Sequence, residues 1–213
     1  LFFYQPLPAL MPVDEHAAHL GTAATAALPD LHSIGMWFNF AISAALEVRK
    51  ATADPALINA VTLVTPNMPD VDRPEPVSGL EGKFSFQYAA ACALLDGKVG
   101  IASFHEKRRF RGDKKSMLRR MKVAVDSSLP TAFNRMQVSI AVTLHDGTVH
   151  RATCTRPPGF WGAPLDIDQH RAKVADCLAV RLDKQQSARV TELLESLEAL
   201  DAESVRELSL LLE

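Results

Sequence analysis

Strict alternation over residues 137–154 constrains this chain more than any other stretch. Val138, Ile140, Val142 and Leu144 are separated by Ser139, Ala141, Thr143 and His145; Asp146-Gly147 follows, and a second β-rich run extends from Thr148 to Cys154. A period of two places the apolar set on one face of a strand, and Asp-Gly supplies the positive φ that a tight hairpin turn needs. The pattern predicts an antiparallel hairpin with one face to bury, so another layer must cover it.

Helical signals supply that layer. Residues 36–50 carry Met36, Phe40 and Ala44 at i, i+4 and i+8 with Trp37 beside them, and Glu47, Arg49 and Lys50 close the segment. Residues 83–96 read as a helix stopped by Gly97, and its Ala89-Ala90-Ala91 run lets a neighbour approach closely. Ala60 to Val64 reads as a strand ended by Pro66, and Pro66, Pro69, Pro74 and Pro76 keep the following segment out of a helix. Residues 113–121 read as a short helix with a basic face, and Val123 and Val125 as part of a half-buried strand. After a Pro/Gly loop at 157–167, Asp168 is the expected cap of a helix striped by Val174, Cys177, Leu178 and Leu182. A second stripe runs Val190, Leu193, Leu194, Leu197 and Leu200, and a last helix spans roughly 203–212. The predicted class is α+β: a small mixed β-sheet with helices packed on it, followed by C-terminal helices. The expected divisions are an N-terminal segment 1–30, truncated upstream, an α+β domain 31–165 and a helical tail 166–213. Neither an internal repeat nor a low-complexity tract is visible.

Composition closes off several functions. With 213 residues, 47% hydrophobic and 23% charged, the chain has enough apolar material for one good core. A net charge of -2 argues against a nucleic-acid binder driven by overall charge. Apolar runs fall short of a membrane helix, and the opening Leu1-Phe2-Phe3-Tyr4 lacks the basic flank of a signal peptide. A cytoplasmic chain is therefore expected. Cys92, Cys154 and Cys177 are odd in number and widely spaced, which reads as buried thiols rather than a disulfide framework or zinc site. Charge is uneven, however. Residues 107–162 hold 12 bases against 3 acids, concentrated in Lys107, Arg108, Arg109, Arg111, Lys114, Lys115, Arg119, Arg120 and Lys122. Such a run is either a solvated helix face with a loop or a patch for an anionic ligand.

Generic catalytic motifs are absent: no phosphate-binding loop, dinucleotide fingerprint, H-E-x-x-H or G-x-S-x-G. His145 with His150, and His16 with His19, lack Cys or carboxylate partners at metal-ligand spacing, so no metal is expected. Ser103, His105 and Glu106 are too close in sequence to converge as a triad, although His105 beside a basic loop suits a proton donor.

Several blocks together resemble the MmgE/PrpD family: VDRPEPV at 71–77, KFSFQYAAACALLDG at 83–97, SFHE at 103–106, VTLHDG at 142–147, Pro164-Leu165 and the leucine-rich closing helices, in family order. That family includes 2-methylcitrate dehydratase, cis-aconitate decarboxylase and iminodisuccinate epimerase, and the SFQY and SFHE forms look closest to the decarboxylase branch. The resemblance runs from about residue 30 onward and covers only the C-terminal half of the family pattern. It implies an α+β lid domain that shares its pocket with a large helical N-terminal domain. It also implies cofactor-independent removal of water or carbon dioxide from a small polycarboxylate. Partners implied are the substrate and the helical domain, with a homodimer left open and no nucleic acid or membrane.

Tyr88 matches the motif tyrosine and becomes the first catalytic candidate, with His105 the second. Lys83, Ser85, Gln87 and Arg73 are the substrate-binding candidates, because a polycarboxylate needs cations and hydrogen-bond donors. Departures accompany the match. Where the family carries K-x-[FY]-P-x-[CH] and then a histidine, this chain has Asp30, Gly35 and Asn39, and a later Gly-His pair appears as Gly159-Phe160. Lys83, Arg73 or His32 would have to compensate. The alternatives are thus a lid domain working with a helical partner, a catalytically silent remnant that binds or dimerises, and, least favoured, a self-contained enzyme.

Overall fold

The hairpin forms where the alternation places it. The computed structural model describes residues 37–212 apart from positions 53, 69–71, 110, 133 and 161. Strands β3 (Val138–Leu144) and β4 (Val149–Cys154) pair antiparallel with Val138 opposite Cys154 and Val142 opposite His150. Gly147 turns the corner at φ 87°, and the Asp146 carboxylate accepts the Thr148 N–H at 2.8 Å. An Asx-type bond of this kind is the physical reason Asp precedes Gly in such turns.

β1 (Ile58–Thr65) pairs antiparallel with β3 on one side and parallel with β2 (Met121–Val125) on the other, giving the order β2-β1-β3-β4. Parallel neighbours require a crossover. The chain between them supplies it with α2 (Gly79–Gly82), α3 (Phe86–Asp96), a 3-10 turn Ile101–Phe104, α4 (Glu106–Arg109) and α5 (Gly112–Leu118). The mixed sheet is the α+β arrangement expected from the sequence.

Ile58, Val61, Leu63, Val138, Ile140 and Val142 form the covered face, and α1 (Phe38–Ala51) and α3 form the layer over it. Both helices are buried well beyond one stripe. In α3 every residue from Phe86 to Leu94 is buried, because the alanines let α1 lie close. Gly97, at φ 70°, takes the left-handed position that ends α3, as its place after the apolar run predicts. Ser139 and Thr153 share a 2.8 Å hydroxyl hydrogen bond on the opposite, water-facing side of the hairpin.

The tail comprises α6 (Ile167–Leu178), α7 (Lys184–Glu195) and α8 (Ala202–Leu212). It has a small core of its own, Val190, Leu193 and Leu208, joined by Leu178, Leu182, Leu200 and Leu211. Arg171–Glu195 and Arg189–Glu207 ion pairs, each with a closest approach of 2.6 Å, tie its helices together. Three expectations change here. Asp166, not Asp168, caps α6, because Gln169 closes the capping box with it. Leu194 and Leu197 lie largely exposed rather than in the stripe. Cys177 is likewise exposed, whereas Cys92 and Cys154 are buried.

No helix among the described residues is long and apolar enough to cross a membrane.

Candidate functional site at the start of α3

The N-terminal turn of α3 gathers most of the residues singled out in the sequence. Ser85 caps the helix: its Oγ accepts the Tyr88 N–H at 3.0 Å and donates to the Arg73 carbonyl at 2.6 Å. Gln87 continues the clasp. Its Oε1 accepts the Arg73 N–H at 3.3 Å, and its Nε2 donates to the Asp72 carboxylate. Ser85 and Gln87 are buried, so their polar atoms are committed to holding segment 72–73 against the helix. That commitment sets where Arg73, itself half-buried, stands.

Tyr88 lies one turn further in and has no exposed surface. Its hydroxyl donates to the Ser103 carbonyl at 2.7 Å. The ring packs on Phe104 with centroids 5.7 Å apart. Lys83, half-buried, holds Nζ 6.0 Å from the centroid of Phe104. His105 follows at the end of the 3-10 turn and is exposed. Lys83, Tyr88 and His105 are thus linked through the 103–104 segment, while Arg73, Ser85 and Gln87 form the adjoining clasp. The phenol points into the domain.

One participant is missing from the sequence reading. The basic run was expected to be either a solvated face or an anion patch, yet Lys114 is fully buried. Its Nζ lies 3.4 Å from Asp96 Oδ2 and 5.5 Å from the centroid of Tyr88. Arg108 also turns inward. It donates to Asp96 through Nε at 3.1 Å and through Nη2, and to Asp113 through Nη1 at 3.0 Å. Burial opposes ionisation of Asp113, but the Arg108 hydrogen bond and the Lys114 backbone N–H outweigh it, so its carboxyl is held below the usual range. Burial pushes the Cys92 thiol up, with Lys114 partly offsetting the rise. An inward Lys has no local signature; its partners Asp96 and Tyr88 on α3 lie 18 and 26 residues upstream.

Of the departures, Asp30 and Gly35 lie outside the described residues, as do His16, His19 and His32. Asn39 is buried in α1, and its Oδ1 has no hydrogen-bond partner among the described residues. Phe160 packs edge-on against Phe40 at 5.3 Å, an apolar contact at the position of the family's polar residue. Among the described residues no three His, Cys, Asp or Glu side chains converge as metal ligands would.

Over residues 32–199 the chain matches the model of the MmgE/PrpD C-terminal domain. It is 33% identical over 165 residues to a cis-aconitate decarboxylase of Mus musculus, covering 73% of this chain and 34% of that protein. It is 35% identical over 136 residues to a cis-aconitate decarboxylase of Homo sapiens, covering 61% of this chain and 28% of that protein. The chain therefore spans about a third of the length of these relatives. With the family model matched across most of the chain, the protein belongs to the MmgE/PrpD family, through its C-terminal domain.

Proposed function

We propose that this chain is the C-terminal part of a cytoplasmic lyase acting on a small polycarboxylate of the cis-aconitate and 2-methylcitrate class. A helical N-terminal domain, encoded with it or supplied separately, completes the pocket. The observation that carries the reading is the pairing of the decarboxylase relatives with the cluster at the start of α3. Arg73 and Lys83 are the cations for substrate carboxylates, Ser85 and Gln87 hold Arg73 in place, Tyr88 offers a phenol, and His105 exchanges protons. In a decarboxylation the carbon–carbon bond breaks, carbon dioxide leaves, and the electron pair left on carbon takes a proton from one of these groups. No metal or organic cofactor is invoked.

A second reading is favoured by one contact. With its hydroxyl given to Ser103 and no exposed surface, Tyr88 also serves as an ordinary core tyrosine. The chain would then be a silent relative that acts by binding or by dimerisation.

Purified chain is mixed with cis-aconitate and with 2-methylcitrate, alone and with a family helical domain. Turnover is expected only in the mixture. Turnover by the isolated chain would remove the need for a second lobe, and a complex that forms but stays inactive would favour the silent relative.

A further inference from the structure

Lys114 projects from α5 onto one face of α3, where Tyr88, Cys92 and Asp96 recur every fourth residue. A fully buried ammonium loses several kcal/mol of hydration that its surroundings must replace. Asp96 replaces it only in part, since the same carboxylate also takes both Arg108 hydrogen bonds. Further compensation comes from a side-chain hydrogen bond with Cys92 and from the Tyr88 ring face, whose centroid lies 5.5 Å from Nζ, within the ~6 Å over which a cation is attracted to a π system. A methionine would fill similar space with no charge to compensate, so packing alone does not call for lysine.

We propose that Lys114 is a positioning residue for Tyr88: its ammonium, anchored by Asp96, fixes the ring from its face and polarises the phenol. The phenol's role rests on the lyase reading above; the coupling of Lys114 to Tyr88 does not. Lys114 faces the ring from α5, Cys92 and Asp96 share its helix face, and Arg108 of α4 acts through Asp96. Phe104, with Lys83 over its ring, packs against Tyr88, and the Ser103 carbonyl accepts the phenol's hydrogen bond. Lys114 sits over the Tyr88 ring itself.

The sequence has two tyrosines, Tyr4 and Tyr88, so Tyr4→Phe leaves one phenol to observe. In the full chain carrying that change, tyrosine labelled with carbon-13 on the ring reports the surroundings of Tyr88 by NMR. Lys114→Met is expected to move the Tyr88 ring resonances and to speed flipping of the ring, because the cation over its face is gone. Lys114→Arg is expected to restore both. A folded Lys114→Met chain with unmoved ring resonances and an unchanged flip rate would overturn the proposal.

Should Lys114→Met fail to fold, the chain with native Lys114 decides. The Lys114 ε protons should resonate upfield under the ring current, and Tyr88→Leu should return them to the ordinary lysine position. Absence of any upfield lysine signal overturns the proposal. In the complex with a helical domain, Lys114→Met should lower kcat about tenfold with KM nearly constant, and arginine should rescue it. If the complex with native Lys114 is itself inactive, the lyase reading fails while the NMR result stands.

Discussion

Gly82 lies directly against the ring of Tyr88: a Cβ at residue 82 would stand 2.9 Å from Tyr88 Cδ1 and 3.1 Å from Cε1. The glycine ends α2 in the turn just before α3, and what it provides is room rather than an unusual φ. Because the ring is buried between Gly82, Phe104 and Lys114, it has little freedom to retreat. Gly82→Ala should therefore destabilise the fold by about 1–3 kcal/mol through overpacking. Urea unfolding measures this, and in a Tyr88→Leu background the penalty should shrink. Equal penalties in both backgrounds would disconnect Gly82 from the ring.

Two other glycines give the contrast. Gly147 has open space around it but sits at φ 87°, so Gly147→Ala should cost about 1 kcal/mol through backbone strain alone. Gly112, at the start of α5, has no positive φ, and among the described residues nothing lies within 4 Å of where its Cβ would stand. Gly112→Ala should stabilise by about 0.4–1 kcal/mol, because the unfolded chain loses freedom and alanine favours the helix. Thermal unfolding should rank the three variants in opposite directions on either side of the native chain.

The hairpin was legible because period two and Asp-Gly are local signals that tertiary context reinforces. The cap of α6 was also written locally. Asp166 stands three residues before Gln169, and that spacing, rather than the nearer Asp168, selects it. Lys114 was not legible. Whether a lysine within a basic run points outward depends on Asp96 and Tyr88, which the crossover brings to it from another helix. The site candidates came from a motif, and the motif does not say which way its groups turn. Ser85 and Gln87 prove to spend their hydrogen bonds on segment 72–73, and Tyr88 faces inward. The tail's exposed Leu194 and Leu197 show the complementary limit, since a stripe of leucines marks an apolar face without saying what covers it.

Thiol accessibility offers a direct check of the packing. Cys92 and Cys154 are buried and Cys177 is exposed, so a native chain should react quickly with one equivalent of an aromatic disulfide reagent and with three after denaturation. Cys177→Ser should abolish the fast phase. Burial holds the Cys177 thiol above its ordinary value, partly offset by Lys173, so labelling should accelerate as pH rises toward 9.0.

Acid stability should depend on Asp113. Its folded pKa is lowered from an ordinary 3.8, with burial opposing and Arg108 prevailing. A lowered carboxyl binds its proton more weakly when folded than when unfolded, so it contributes stability above the unfolded value. That contribution is lost as pH falls through 3.8 toward the folded value. Asp113→Asn should therefore be less stable than the native chain near neutrality and should lose less on acidification from pH 6 to pH 3. Parallel urea midpoints in the two chains across that range would remove Asp113 from the acid response.

Ser85 carries two loads, and its removal should separate them. The hydroxyl caps α3 at Tyr88 N and also grips the Arg73 carbonyl. Loss of the cap alone costs about 1 kcal/mol, and loss of the part-buried hydrogen bond to the Arg73 carbonyl adds about 0.5–1.5 kcal/mol, so Ser85→Ala should destabilise the domain by about 1.5–2.5 kcal/mol. Ser85→Thr keeps the oxygen and tests whether the hydroxyl or the space matters. If Arg73 holds a substrate carboxylate, loosening its backbone should raise KM more than it lowers kcat in the complex with a helical domain. Arg73→Lys should do the same without the stability cost. A Ser85→Ala chain that unfolds at the native midpoint would mean that the clasp between residue 73 and α3 is not what secures this end of the helix.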